Sequence, residues 1–486
     1  MARTFAGTVA FVASLVCSVS LATEDAESPM FAPEISGPWW QVAGDPDLGE
    51  WTSPDQQPVD FGVWQAADGT WQIWSCIRKT KCGGRTRLFY RWEGKQLTDA
   101  DWQPKGIAMV ADPALGETLG GLQAPHVILH NDVYYMFYGD WRNICLATST
   151  NGKEFTRYRN TEGRPQLFTE DTDPEDWTNT RDAMVLKVGD TWHCYYTAFP
   201  KRKGAVYCRT SKDLHTWSTS VIVSAAGSSG DNAYSSECPD VVYHEPSGHY
   251  YLWRTQRYGP NAQTSVFRSR DPLDFAPGTD DCLVCRMPVA APEIVRIGDQ
   301  WYMAALLPSL KGIQIAPMRW VIDDDWVRPG QMRGRAVFDF DDPIQREKWQ
   351  RIEGDIEPIF TTSTRSNFHP PQQHFIGTAE SSRLPGRPDD KQTGVSQSPP
   401  FTVEADRYFL LISGGGDREK TYVALVTEEG NEELVRVTGS GSSNHFEPVA
   451  VDLSRHRGKT VRVRIVDNAT SGWGHINLGG VYCDER

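Results

Sequence analysis

The sequence predicts an all-β protein, a five-bladed β-propeller followed by a C-terminal antiparallel β-sandwich. Three observations lead to this prediction. One pattern occurs five times between residues 59 and 301, at intervals of about 55 to 65 residues, which is the size of one propeller blade. Short runs rich in aromatic and β-branched residues recur within each copy, as expected of strands. No stretch shows sustained helical periodicity.

Each copy of the pattern begins with an opener, continues as a short apolar run, and ends with a turn that leads into an aromatic strand. The openers are 59–62, 123–126, 180–183, 236–240 and 291–293, and the turns with their aromatic residues are 68–71, 131–134, 189–192, 248–251 and 298–301. A second repeat, in register with the first, consists of 148–152, 210–214 and 268–272. Two repeats in the same register favour blades over chance similarity.

The chain is predicted to contain three parts. Residues 1–22 read as a secretory signal peptide, because Arg3 precedes an apolar run that ends near Ala22. A membrane anchor is the alternative, but the run is short and interrupted by Ser and Gly. Residues 23–330 form the propeller, with 23–58 as an irregular lead-in, and residues 335–486 form the sandwich. The predicted location is therefore secreted or periplasmic.

Charge and cysteine content narrow the function classes. The formal net charge is −14 and no basic stripe is evident, so the sequence disfavours nucleic-acid and anionic-membrane binding and fits a neutral substrate. Cys194 and Cys208 lie on consecutive predicted strands and could form a disulfide. Cys282 and Cys285 form a lone CxxC without a second pair at zinc-like spacing, so no metal and no cofactor are expected. The oligomeric state is not predicted.

Acidic residues stand in three of the five openers. The innermost strands of a propeller converge on one axis, so Asp60, Asp182 and Glu237 are expected to face one another at one end of the central channel. In the aligned repeats Asp60, Asp182 and Cys238 are equivalent, and Glu237 lies one position earlier. Converging carboxyl groups can protonate a leaving group and attack a carbon, which is the chemistry of glycoside hydrolysis.

The openers resemble motifs of a known family. The Arg-Asp-Ala of residues 181–183 is similar to the Arg-Asp-Pro motif of glycoside hydrolase family 32, the invertases and levanases, and residues 237–240 are similar to its Glu-Cys-Pro-Asp motif. Residues 411–416 and 472–477 resemble the sandwich module of levanase-like proteins. The resemblance implies a β-fructosidase in which Asp60 is the nucleophile, Glu237 the acid/base, and Asp182 with Arg181 a pair that binds substrate hydroxyls.

One departure from family 32 keeps alternatives open. The family carries its nucleophile within Trp-Met-Asn-Asp-Pro-Asn-Gly, whereas this chain has only Val59-Asp60-Phe61-Gly62. The related family 43 has a plainer first-blade aspartate, so the three acids also fit an inverting arabinofuranosidase or xylosidase. A carbohydrate-binding propeller without turnover is a third interpretation.

Further residues are predicted to contact a carbohydrate. His126 and Glu293 occupy the equivalent openers of the second and fifth repeats. Trp64, Trp141 and Arg254 are expected as pocket walls, since indole rings pack against sugar rings and guanidinium groups bind hydroxyls.

Overall fold

The computed structural model describes residues 29–172, 175–227, 230–259, 262–322, 335–340, 342–346, 348–356, 360–361, 374–380, 389–439, 443–472 and 474–484. The predicted signal peptide, residues 1–22, lies outside these residues. Within the described part of the chain, no helix is long and apolar enough to cross a membrane.

The all-β prediction is confirmed, and the N-terminal part of the described chain consists of five sheets. The first sheet contains β3 (Gln57–Gln65), β4 (Trp71–Arg78), β5 (Leu88–Gly94) and β6 (Gln103–Met109). The second contains β7 (Gln123–His130), β8 (Val133–Gly139), β9 (Ile144–Ser149), β10 (Thr156–Arg157) and β11 (Gln166–Phe168). The third contains β12 (Arg181–Val188), β13 (Thr191–Ala198), β14 (Ala205–Ser211) and β15 (Val221–Ala225). The fourth contains β16 (Glu237–His244), β17 (His249–Arg257), β18 (Gln263–Ser269) and β19 (Leu283–Met287).

The fifth sheet corrects the prediction for residues 23–58. It contains β20 (Glu293–Ile297), β21 (Gln300–Leu306) and β22 (Gly312–Ile322), and β22 also pairs with β1 (Phe31–Ile35) and β2 (Trp40–Gly44) from the supposed irregular lead-in. This pairing joins segments almost 300 residues apart, so no local sequence pattern predicts it. The N-terminal strands thereby complete the last sheet and tie the two ends of the propeller together.

The first strand of each sheet contacts the first strand of the next. These contacts run from β3 to β7, β12, β16 and β20 and back to β3, so the five strands form a closed ring. Apolar side chains fill the space between neighbouring sheets, as Phe137 and Trp192 do between the second and third. Sheets that pack face to face around a ring place the starts of their inner strands at one common end, which is called the mouth below.

The second sequence repeat corresponds to a turn that follows the third strand. Ser149 Oγ accepts hydrogen bonds from the backbone of Asn151 at 3.1 Å and of Gly152 at 2.9 Å. Ser211 Oγ makes the same bonds to Asp213 at 3.1 Å and Leu214 at 2.9 Å. A hydroxyl that caps its own turn explains why serine recurs there.

The C-terminal part contains two six-stranded antiparallel sheets, as the sandwich prediction requires. One sheet contains β23 (Arg335–Phe338), β25 (Phe360–Thr361), β26 (Phe375–Gly377), β29 (Arg407–Gly414), β32 (Ser443–Asp452) and β34 (Ile476–Cys483). The other contains β24 (Gln350–Gly354), β27 (Gly394–Gln397), β28 (Phe401–Thr402), β30 (Thr421–Thr427), β31 (Glu433–Val437) and β33 (Thr460–Asp467). Leu410 and Ile476 of one sheet share a core with Val423 and Val463 of the other. The domain boundaries stay predictions, since 323–334 lie outside the described residues.

Helical structure in the described residues is short. It comprises α1 (Pro343–Arg346) and 3-10 turns at Gly49–Trp51, Pro113–Leu115, Pro200–Arg202 and Ser454–His456. The possible disulfide between Cys194 and Cys208 is not formed. Strand pairing places Cys194 opposite Arg209 and Cys208 opposite Tyr195. Because side chains alternate along a strand, the two thiols point to opposite faces of the sheet.

Candidate active site

β-Bulges near the start of four of the five inner strands build the site. Pairing between the first and second strands shifts register there in the first four sheets. The bulged residues Asp60, Ala124, Asp182 and Cys238 have positive φ values of 38°, 40°, 57° and 47°, and Ala291, just before the inner strand of the fifth sheet, has a φ of 47°. Bulges re-aim side chains and cluster near functional sites, and positive φ is strained for residues other than glycine. The equivalence of Asp60, Asp182 and Cys238 is the one that the aligned repeats predict.

The bulged residues and their neighbours surround one narrow pocket at the mouth. Its lining includes Asp60, Asp182, His126 and Glu293, from four different sheets. Phe61, Ala124, Pro125, Ala183, Cys238, Pro239 and Ala291 complete it. Residues far apart in the sequence therefore meet here, as the propeller prediction requires.

Cys238 connects the two aspartates. Its backbone N–H donates to Asp182 Oδ2 at 3.1 Å, and its Sγ lies 3.3 Å from Asp60 Oδ1. Tyr258 Oη lies 3.2 Å from the same sulfur and 3.5 Å from Asp60 Oδ1. Burial raises the pKa of the Cys238 thiol well above its usual range, and the charges of Asp182, Asp60 and Glu237 add to this shift. Cys238 is therefore a neutral thiol that donates to Asp60 and is no thiolate nucleophile.

Arg181 bridges Asp182 and Glu237. Its guanidinium donates to Glu237 Oε1, and its Nε lies 3.5 Å from Asp182 Oδ2. A further hydrogen bond of 3.0 Å reaches the carbonyl of Asn179, and the ring of Phe199 lies 5.6 Å from Cζ. The side chain of Arg181 is only 3% exposed, so water does not solvate its charge, and the carboxylates of Asp182 and Glu237 balance it. Glu237 does not line the pocket itself, but the bridge holds it beside Asp182.

Burial controls the protonation of Asp182. The pKa of this carboxyl is raised to about 7, chiefly by burial; the positive charge of Arg181 opposes the shift, and the charges of Asp60 and Glu237 add to it. Asp182 Oδ1 is buried and accepts no hydrogen bond from the described residues. A buried carboxyl oxygen without a partner is a suitable acceptor for a substrate hydroxyl.

His126 is a neutral group in the pocket near pH 7. Burial lowers its pKa to about 4, and a hydrogen bond with the backbone of Val185 opposes the shift only partly. Its Nε2 is buried and has no hydrogen-bond partner within the described residues. A neutral imidazole offers this nitrogen to a substrate without adding charge.

Glu293 and Asp240 form an acidic pair on neighbouring inner strands. Burial, and then the charge of Asp240, raise the pKa of Glu293 well above its usual range. Burial raises the pKa of Asp240 to about 7, although its Oδ2 accepts a 2.9 Å bond from the backbone N–H of Ile294. Near pH 7 this pair retains a proton, because ionising both buried carboxyl groups would place two negative charges close together at a high cost in free energy.

Two of the predicted pocket walls lie elsewhere. Trp64 is buried against Trp74 and Phe155, and its Nε1 donates to the carbonyl of Gly152 at 2.7 Å. The prediction for Trp64 is therefore wrong, because the residue points into the core between the first two sheets.

The prediction for Arg254 is wrong as well. Its side chain is fully buried, donates to Ser224 Oγ at 3.0 Å and to the carbonyl of Ala226 at 2.8 Å, and lies over the ring of Phe267. These contacts connect the third and fourth sheets and do not reach the pocket. The third predicted wall, Trp141, does lie at the mouth, in the turn between β8 and β9.

Tyr258, Trp177 and Phe199 were not predicted. Tyr258 follows β17 and Phe199 follows β13, both at the mouth end of their sheets, and Trp177 precedes β12. The second strand of every sheet ends at the mouth. An aromatic residue directly after a predicted second strand was therefore a sequence signal that could have identified Tyr258 and Phe199 as site residues. Within the described residues, no group of three His, Cys, Asp or Glu side chains could hold a metal ion.

A family match covers part of this site. Residues 90–267 match the family model described as glycosyl hydrolases family 32 N-terminal domain. The resemblance is confirmed over that segment. It contains Arg181, Asp182 and Glu237 but begins after Asp60. The match supports a glycoside hydrolase.

Individual relatives are distant or matched only in part. The Aspergillus rugulosus protein ecdE, described as a glycosyl hydrolase, is 32% identical over 89 residues, which are 18% of this chain and 12% of that protein. The chain thus spans only a small part of this curated relative. The structure of the Bombyx mori family 32 β-fructofuranosidase BmSUC1 is 12% identical with a TM-score of 0.43, covering 92% of this chain and 94% of that one. A thermostable family 43 glycoside hydrolase is 20% identical with a TM-score of 0.40, covering 57% and 94%.

Proposed function

We propose that this protein is a glycoside hydrolase that cleaves a furanoside-type oligo- or polysaccharide, with a β-fructoside as the favoured substrate. One observation carries the proposal: Asp60, Asp182 and Glu237 come from three sheets to one mouth, where Arg181 bridges the last two. Carboxyl groups on different sides of one small space can act on a single glycosidic bond.

The surroundings of each acid suggest its role. Asp60 is contacted by a thiol and a phenol at 3.3 and 3.5 Å; these contacts orient its carboxyl group, and it acts as the nucleophile. Glu237 supplies the proton to the leaving group. Asp182 is buried beside Arg181, and its Oδ1, which has no hydrogen-bond partner among the described residues, accepts a hydrogen bond from a sugar hydroxyl. His126 and Glu293 contact the ring that occupies the pocket.

An inverting reaction on arabinose- or xylose-containing glycans is the second candidate. The plain first opener, Val59-Asp60-Phe61-Gly62, favours it because this opener lacks the asparagines and proline of the family 32 motif. In that case Asp60 activates a water molecule, which needs a wider separation of the two carboxyl groups than direct attack does. A binding propeller without turnover is the third candidate, for the same reason.

The test is hydrolysis of a panel of levan, inulin, sucrose, arabinan and xylan by the mature protein. The expected result is release of fructose, with Glu237→Gln lowering turnover by about 10²- to 10⁴-fold while glycan binding persists. Release of arabinose or xylose would select the second candidate, and the anomer first formed, read by NMR, separates retention from inversion. Unchanged turnover in Glu237→Gln would remove Glu237 as the acid.

We also propose that the protein is secreted or periplasmic, on the basis of the apolar run at residues 5–21. N-terminal sequencing of the protein recovered outside the cytoplasm should begin near Thr23. A chain that still carries residues 1–22 after export would instead support a membrane anchor.

A further inference from the structure

The mouth of the propeller carries a row of aromatic side chains that leads away from the catalytic acids. We call Trp141, Trp177, Phe199 and Tyr234 the aromatic rim. Trp141 and Trp177 stack with ring centres 5.2 Å apart and 18° between their planes, and Phe199 lies 5.4 Å from Trp177. Tyr234 is 6.1 Å from Phe199 and 54% exposed. Because Phe199, which lies between Trp177 and Tyr234 in this row, also packs on Arg181, the rim passes beside the Arg181–Glu237 bridge and ends at Trp141 on one side.

A cluster of positive charge stands at the far end of this rim. Residues 79–87, called here the basic loop, join β4 to β5 at the mouth and contain Lys79, Lys81, Arg85 and Arg87 with no acidic residue. The guanidinium groups of Arg85 and Arg87 lie 5.0 and 4.9 Å from the centre of the Trp141 ring. Since Trp177 covers one face of that ring, the two arginines occupy the other face or its edge.

Arg85 and Arg87 have no carboxylate partner among the described residues, in contrast to two other arginines at the mouth. Arg142 pairs with Asp171 at 2.7 Å, and Arg181 pairs with Glu237 and Asp182. Within the described residues, neither Arg85 nor Arg87 forms a salt bridge or a side-chain hydrogen bond. In a chain of net charge −14, two adjacent unneutralised guanidinium groups are a feature that the overall charge balance does not predict.

The backbone holds these arginines in place. Arg85 N–H donates to the carbonyl of Leu119 and Arg87 N–H to that of Gly120, both at 2.9 Å. A Cβ added at Gly84 would lie 2.0 Å from the Leu119 carbonyl oxygen, so only glycine permits this close approach. Trp141 is held at a φ of 86°, which is strained for a bulky side chain and is typical of sites that the surrounding structure fixes.

We propose that the basic loop and Trp141 form a subsite for an acidic group of the glycan, a uronate carboxylate or a sulfate ester. The inference rests on the proposed function, because it assumes that a glycan occupies this mouth. A planar guanidinium binds carboxylate and sulfate oxygens through paired hydrogen bonds, and the stack of Trp141 on Trp177 holds the two guanidinium groups in position at the mouth. The acidic unit lies along the rim, beyond the unit that enters the pocket.

The test measures binding separately from turnover. The inactive variant Glu237→Gln is applied to an array of neutral, uronate-bearing and sulfated oligosaccharides, and the ligands that bind are titrated by calorimetry. Acidic glycans should bind at least about tenfold more tightly than their neutral counterparts, and added salt should reduce the difference. The uronate and sulfate arms of the array identify which acidic group is used.

Variants in the basic loop show whether the arginines carry the preference. Arg85→Gln with Arg87→Gln should lower the ratio of acidic to neutral affinity by about tenfold or more. Arg85→Lys with Arg87→Lys should retain part of the preference for acidic glycans, because an ammonium group keeps the positive charge but cannot form the paired hydrogen bonds of a guanidinium. Lys95→Gln, on the same sheet but at the end away from the mouth, should leave the ratio as in the parent.

Equal affinity for acidic and neutral glycans, or a preference that survives the double glutamine variant, would overturn the inference. Hydrolysis of neutral glycans without tighter binding of acidic glycans would also overturn the inference, but it would leave the proposed function intact. Arginine-dependent binding of acidic glycans without turnover in the wild type would support the subsite and argue against the enzyme.

Discussion

Tyr258 is the residue whose contribution to the site is most directly measurable. Its hydroxyl lies 3.5 Å from Asp60 Oδ1 and 3.2 Å from Cys238 Sγ, so it can orient the carboxyl group that we propose as the nucleophile. Tyr258→Phe removes that hydroxyl and preserves the ring. We expect kcat/KM to fall about tenfold, because the loss of one hydrogen bond costs on the order of 1 kcal/mol, and about 1.4 kcal/mol is a factor of ten in rate.

The effect should appear in steady-state kinetics at constant thermal stability. Tyr243→Phe is the matched control, since this tyrosine is 41% exposed on β16 of the same sheet. A Tyr258→Phe enzyme with the kinetics of the wild type would show that Cys238 alone positions Asp60.

The close packing of neighbouring inner strands explains why residue 62 is a glycine. A Cβ added at Gly62 would lie 2.3 Å from the carbonyl oxygen of Pro125, on the neighbouring inner strand. Gly62→Ala must therefore push β3 from β7, at a cost of about 1–3 kcal/mol for overpacking. Because Asp60 lies two residues earlier, activity should fall together with the melting temperature.

Calorimetry and an activity assay on the same samples test this expectation. Gly472→Ala is the control, because a Cβ there meets no atom within 4 Å. A Gly62→Ala protein with unchanged melting temperature would mean that the two strands have room to separate.

The elements also show how far sequence reasoning extends. The equivalence of Asp60, Asp182 and Cys238 could be read from five aligned openers, since repeated units place repeated residues at repeated positions. The pairing of β1 with β22 could not, because it joins the two ends of the propeller. Trp64 and Arg254 were misplaced for another physical reason: a tryptophan or arginine in a strand serves inter-sheet packing as readily as a pocket, and the sequence does not show which face it occupies.

At the scale of the whole molecule, buried acids link stability to pH. Burial raises the pKa of Asp182, Asp240 and Asp467 to about 7, above the usual value near 4 for an unfolded chain. The folded protein therefore binds more protons than the unfolded chain between about pH 4 and 7. In this range each of these three acids lowers the free energy of unfolding as the pH rises, by up to about 1.4 kcal/mol per pH unit, whereas buried histidines such as His126, whose pKa burial lowers to about 4, contribute with the opposite sign.

Asp240→Asn isolates one of these contributions. The amide oxygen can still accept the hydrogen bond from Ile294 N–H, but it cannot ionise. The melting temperature of the wild type should fall relative to that of Asp240→Asn as the pH rises from 5 to 7, so the two curves converge at low pH and separate at high pH. Asp132→Asn, the same change in an exposed turn, should follow the wild type throughout. Parallel curves for wild type and Asp240→Asn would show that Asp240 ionises in the folded protein as it does in the unfolded chain, with the channel solvating its charge.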